Sequence, residues 1–188
     1  DVITGAGGND TITLLVGTNA DIVHMSLFSA NGADVITNFD KLEDHLNFDL
    51  SMTGVTNVVA ITGIAAGSGD ADFIDNEAYV YADGATASSG AGTATITSYT
   101  NLTQVADFLS DAMRDTTIGV SNDAANGDEA IFVINDTVGN KTFAYHFGED
   151  GTAGDASTTV DVISAGELTL LATVTEEGGL TLVAADII

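Results

Sequence analysis

Gly5-Ala6-Gly7-Gly8-Asn9-Asp10-Thr11-Ile12-Thr13 reads as one nine-residue unit: a glycine-rich turn, an aspartate that closes it, and a short strand with an apolar centre. Asp1-Val2-Ile3-Thr4 fits the last four positions of a preceding unit, which sets Asp1 and Asp10 nine residues apart. A third copy stands in Ser29-Ala30-Asn31-Gly32-Ala33-Asp34-Val35-Ile36-Thr37. A fourth, poorer copy is Val16-Gly17-Thr18-Asn19-Ala20-Asp21-Ile22-Val23-His24.

Each residue type in the unit has a physical role. Glycine permits positive φ and lets backbone carbonyls crowd inward, where a Cβ would block them. The aspartate supplies a hard anionic oxygen and the turn carbonyls supply neutral ones, the mixture that Ca²⁺ prefers. The Val-Ile-Thr and Thr-Ile-Thr triplets are β-forming, with the central isoleucine turned to a core. Eight of the nine positions fit the calcium-binding parallel β-helix pattern, with Ala6 replacing the second glycine. The candidate metal ligands are therefore Asp1, Gly5, Gly7, Asn9, Asp10, Asp21, Asn31 and Asp34. Two units make a coil of 18 residues, whereas Asp1 to Asp21 is 20 and Asp10 to Asp34 is 24. The two sides of the coil are thus expected to continue with insertions of two and six residues. The competing reading of any single copy is an ordinary turn, because Gly, Asn and Asp dominate turns.

These units resemble the repeats-in-toxin family, the haemolysin-type calcium-binding proteins exported by bacterial type I secretion. Gly32-Ala33-Asp34-Val35-Ile36-Thr37-Asn38-Phe39-Asp40, followed by Asp44-His45-Leu46-Asn47-Phe48-Asp49-Leu50-Ser51, is similar to the segment that closes the β-roll of serralysin-type C-terminal domains. The matching motifs cover residues 1–51. Leu180-Thr181-Leu182-Val183-Ala184-Ala185-Asp186-Ile187-Ile188 echoes the family's apolar-acidic tail more loosely. The resemblance implies a calcium-folded roll and an uncleaved type I secretion signal near the C-terminus, read by the type I secretion machinery.

Composition is consistent with an acidic exported protein. There are 28 acidic residues against three basic ones (Lys41, Arg114 and Lys141), for a formal net charge of −25. Nucleic acid and anionic membranes both call for a basic footprint, so neither is an expected partner. Charge of this density repels itself in the compact state, and bound cations would offset it. Hydrophobic residues make up 45% of the chain, enough for a core. With no cysteine there is no disulfide, thiolate metal site or cysteine nucleophile. No apolar run is long enough for a transmembrane segment. The chain opens in mid-repeat at Asp1, and the expectation is that it is the C-terminal piece of a longer protein.

In order, residues 1–37 form the roll and residues 38–51 cap it, with Phe39, Leu42, Leu46, Phe48 and Leu50 closing its core. Asp40, Glu43, Asp44 and Asp49 could hold another Ca²⁺, but a solvated acidic surface is the preferred reading. Residues 52–188 are expected as a β-rich C-terminal domain, with strands at residues 55–64, 77–81 and 93–99 and loops between them. The one good helix spans residues 102–114, with Asn101 and Gln104 resembling a capping box and Leu102, Val105, Ala106, Leu109, Ala112 and Met113 on one face. Residues 130–134 and 142–147 flank Val138-Gly139-Asn140 as a hairpin, and further strands are read at 158–163, 168–175 and 180–183. The fold class expected is mainly β: a short parallel β-roll continuing into a β-sandwich-like domain with one α-helix.

No catalytic constellation emerges. His24, His45 and His146 belong to no zinc-binding spacing, and there is no G-x-S-x-G elbow. The reading is of a non-enzymatic, calcium-binding module of a secreted or cell-surface bacterial protein. Its parent is a surface-layer or adhesive structural protein capable of self-assembly; alternatively the module is the secretion and folding domain of an extracellular enzyme such as a zinc protease or lipase. The Thr, Ala and Val content favours the first parent, and the serralysin-like cap favours the second.

Overall fold

The structure, a computed structural model, describes residues 1–17, 19–26, 32–49, 57–61, 77–81, 86–89, 92–112, 129–148, 163–177 and 182–188. The repeat units become five short strands: β1 (Val2–Thr4), β2 (Thr11–Thr13), β3 (Ile22–Ser26), β4 (Asp34–Phe39) and β5 (His45–Asp49). Odd and even strands go to different sheets. β1, β3 and β5 form a three-stranded parallel sheet, while β2 and β4 pair in parallel within a larger one. The register sets Val2 opposite Ile22 and Ile22 opposite His45, with Thr11 opposite Val35 on the other side. Side chains alternate along a strand, so Ile12, Ile36, Val23 and Met25 are buried between the sheets while Thr11 and Thr13 face outward.

Beyond them come β6 (Asn57–Ile61), β7 (Glu77–Tyr81), β8 (Thr86–Ser89), β9 (Gly92–Thr95), α1 (Leu102–Ala112), β10 (Glu129–Asp136), β11 (Lys141–Gly148) and β12 (Leu168–Glu176). The chain is mainly β with mixed sheets, as the sequence indicates. The strands after residue 52 do not face one another as a separate sandwich. Among the described residues, five of them extend the sheet of β2 and β4 into seven strands, in the order β2-β4-β12-β11-β10-β7-β6 with β12 running parallel to β4, while β8 and β9 pair as a separate two-stranded sheet.

The physical reason is that β7 and β10 are apolar on both faces, as strands of sheets covered on both sides are. Ala78, Val80, Ile131 and Val133 pack towards the three-stranded sheet with Val23, Met25, Leu46 and Phe48. Tyr79, Tyr81, Ala130, Phe132 and Ile134 pack on the opposite face against Val105, Phe108 and Leu109 of α1. The pairing shifts from Ala144–Ala172 to Tyr145–Leu170, so Leu171 is an extra residue in β12, and two consecutive residues of that strand, Leu171 and Ala172, join the first of these cores.

Several local expectations are refined. The hairpin β10–β11 forms in the register Phe132 opposite Tyr145. Its turn is held by Asp136 Oδ1, which accepts from the amides of Val138 and Gly139 at 3.2 and 2.9 Å. Residues 86–89, read as loop because they are small and flanked by glycines, form β8 and pair with β9. At α1 Asn101 Oδ1 does accept from Thr103 N, at 3.2 Å, but Gln104 reaches past it to Thr97 N and Ser98 N. Of the residues read as a cap, Phe39, Leu46 and Phe48 are buried in the core, whereas Leu42 is exposed. Leu50, Met113, Arg114 and the strand read at 158–162 lie outside the described residues. Residues 182 and 183 are not a strand: Leu182 is buried, a 3₁₀ turn follows at Ala184–Asp186, and Ile187 bridges in parallel to Leu46. Among the described residues no helix is long and apolar enough to cross a membrane.

Candidate metal centre

The aspartate that closes each unit sits just before, or at the start of, its strand, so strand pairing stacks these residues into two rows. One row is Asp10 and Asp34, on the sheet of β2 and β4. The other is Asp1, Asp21 and Asp44, which precede β1, β3 and β5. Asp44 Oδ2 accepts from Asp40 N, just beyond the last residue of β4, whereas Asp34 is its first residue. The two rows therefore lie at opposite ends of the coil.

The Asp10–Asp34 row has the more suggestive geometry. Asp34 is 1% exposed, and its Oδ1 accepts from Asp10 N at 2.9 Å. The Oδ2 atoms of Asp10 and Asp34 would each lie 3.0 Å from a Cβ placed on Gly5. The two oxygens are thus no more than about 6 Å apart, and at an effective dielectric of about 20 two unit charges at that distance repel by roughly 3 kcal/mol. Asp10 Oδ2 is buried and has no hydrogen-bond partner. Burial pushes the Asp34 carboxyl above the usual aspartate range; the hydrogen bond from Asp10 N opposes the shift and the Asp10 carboxylate adds to it. An orphaned buried oxygen facing a second carboxylate, over a space that any Cβ would fill, fits a hard cation. Asp10 and Asp34 would supply its charged ligands, and the carbonyls of the Gly5–Gly8 turn its neutral ones. Among the described residues no three His, Cys, Asp or Glu side chains converge as a metal-holding group, so backbone carbonyls would complete such a site.

The second row is tied by hydrogen bonds. Asp21 Oδ1 accepts from the Asp1 α-ammonium at 2.9 Å, and Ala20 O accepts from the same group at 3.0 Å. The Asp1 carboxylate itself is 95% exposed. Asp44 belongs to this row and not to a solvated surface: it is buried, and it accepts from Asp21 N at 3.0 Å and from Asp40 N at 2.8 Å. The signal that would have found it is the 23-residue step from Asp21 into the alternating run His45-Leu46-Asn47-Phe48.

The remaining candidates are placed as follows. Asn9 Oδ1 accepts from Ala33 N at 3.0 Å, so that side chain joins one coil to the next. Gly32 lies against it at φ 76°, where a Cβ would run into the backbone of Gly8. Asn31 lies outside the described residues. Gly7 is exposed in the turn. Of the histidines, His146 Nε2 lies 3.8 Å from Glu129 Oε1, across the β10–β11 pair. No protein family, curated protein or solved structure matches the chain.

Proposed function

We propose that this chain is the calcium-folded C-terminal module of an exported bacterial protein, its repeats forming a short parallel β-roll. The observation that carries this reading is the pair of Oδ2 atoms of Asp10 and Asp34 meeting over Gly5, with Asp10 Oδ2 buried and unpartnered. Where free Ca²⁺ is scarce, the repulsion within this pair and the net charge of −25 disfavour closure of the coil. Outside the cell, where extracellular modules bind Ca²⁺ with dissociation constants of roughly 10⁻⁴ to 10⁻³ M, the ion neutralises the pair. Binding to the folded form alone then becomes folding free energy.

The tail takes its place in the same scheme. Leu182 and Ile187 are buried, and Ile188 N donates to Leu46 O at 2.9 Å. A secretion signal in these residues is legible to the export machinery only before the coil closes, so low calcium and export go together. The parent we favour is a surface-layer or adhesive structural protein; an extracellular enzyme is the second reading, favoured by the cap motif of residues 32–51.

The test is a calcium titration followed by circular dichroism and calorimetry, on the intact chain and on Asp10→Ala. A calcium-dependent gain of β-structure that the substitution weakens is the expected result. A chain equally folded in excess chelator would make the repeats ordinary glycine turns and remove the basis of the proposal.

A further inference from the structure

A second polar cluster, remote from the aspartate rows, lies where the tail meets the large sheet. Asn135 and Thr142 face each other across β10 and β11 and are wholly buried, and Glu176, which ends β12, is 7% exposed. Asn135 Nδ2 donates to Tyr81 O at 2.8 Å and to Leu182 O at 3.0 Å. Both partners are carbonyls, so the orientation of the amide is fixed and its Oδ1 can only accept. It accepts from Leu182 N at 3.1 Å. Thr142 Oγ1 lies 2.5 Å from this Oδ1 and 2.7 Å from Glu176 Oε1. A hydroxyl has one proton to give. Given to Asn135, it leaves none for Glu176, so an ionised Glu176 would set a bare oxygen pair at 2.7 Å.

We propose that Glu176 is held as a neutral carboxylic acid donating to Thr142 Oγ1, and that this acid is a pH-sensitive latch on the C-terminal segment 182–188. The chain of donors then runs from Glu176 to Thr142 to Asn135, and Asn135 grips Leu182 through both N–H and C=O. The other carboxyl oxygen, Oε2, is buried without a partner, which costs far less for a neutral acid than for a carboxylate.

The charged surroundings are mixed. Burial is the main cause raising the Glu176 carboxyl, with the Asp186 carboxylate of the 3₁₀ turn adding to it. The Thr142 contact, the Lys41 ammonium from the turn between β4 and β5 and the Leu182 amide oppose it. Lys141, at the start of β11, is exposed. A carboxyl raised on folding lends stability that is whole below its unfolded pKa and is lost as pH rises through the folded value. The latch therefore holds in acid and loosens towards alkaline pH.

Two measurements on the full chain test this. In the first, the Glu176 side-chain carboxyl is titrated by carbon NMR in the wild type; it should remain protonated well above the ordinary glutamate range, and titration within that range would overturn the proposal. In the second, hydrogen exchange of the Leu182 and Ile188 amides is followed against pH in wild type and in Glu176→Gln, whose amide reproduces the donor of the neutral acid. After division by intrinsic rates, the ratio of opening constants, wild type over variant, should rise by up to about tenfold per pH unit between the unfolded and the folded pKa and level off above the folded value. Asp186, also raised by burial, is present in both proteins, so the ratio reports Glu176 and its interaction with Asp186. A ratio independent of pH would overturn the latch even if the acid proved neutral.

Discussion

Gly5→Ala tests the proposed cation site between Asp10 and Asp34 apart from the packing of the strands around it. Gly5 is not among the positive-φ glycines, so alanine is compatible with its backbone. The added Cβ would lie 3.0 Å from both Asp10 Oδ2 and Asp34 Oδ2 and 3.4 Å from Asp10 Cβ, in the space a bound ion needs. In chelator, the entropic gain of about 0.4–1 kcal/mol from replacing glycine is offset by these tight contacts, so stability should change by less than about 1 kcal/mol. In calcium the outcome differs. At roughly 100 times the dissociation constant a wild-type site adds about 2.7 kcal/mol, or about 5–10 °C in Tm for a chain of this size. Thermal unfolding of both proteins, with chelator and with calcium, reads the difference directly. The variant should lose one site's share of the calcium increment while keeping its calcium-free Tm. An undiminished increment in Gly5→Ala would refute the placement of an ion between these carboxylates.

Other consequences can be measured on the same protein. Asp44→Ala removes the acceptor for both Asp21 N, in a buried bond, and Asp40 N, in a half-buried one; at about 1–3 kcal/mol for a buried group left unsatisfied, urea unfolding should show a loss of at least about 1–3 kcal/mol. Gly32→Ala places a Cβ against Gly8 at a positive φ, and should cost more than about 2 kcal/mol by the same assay, with or without calcium. The His146 imidazole is held below the usual histidine range by burial, with the Glu129 carboxylate opposing. Its contribution is therefore whole above an unfolded pKa of about 6.5 and is lost as pH falls towards the folded value. His146→Gln should remove that part of the acid-side slope in a series of denaturant melts, and a slope identical to wild type would count against it. This dependence is opposite in sign to that of Glu176, so the two are separable in one pH series.

Much of the pairing of β1 to β5 was legible because its information is local. A nine-residue unit states its turn, its closing aspartate and its inward side chain within itself, and strand pairing between alternate units follows from repeating it. The 20- and 24-residue spacings therefore gave the pairing of Asp1 with Asp21 and of Asp10 with Asp34. Asp44 was missed because its turn, Asp40 to Glu43, carries no glycine and resembles an acidic surface until packing buries it. The strand β8 was missed for a related reason: Thr86-Ala87-Ser88-Ser89 has no alternation of large apolar and polar residues to reveal it.

The sequence by itself determined the mainly β class, the repeat register, the amphipathic helix and the hairpin around Gly139, because each is written in periodicities shorter than about ten residues. Tertiary structure alone decided that β12 would lie beside β4 and make one sheet of two segments more than 130 residues apart. It also decided that Glu176, Thr142 and Asn135 would meet around Leu182. Such contacts depend on which open sheet edge and which apolar face remain to be covered, and that is a property of the assembled surfaces that no local pattern encodes.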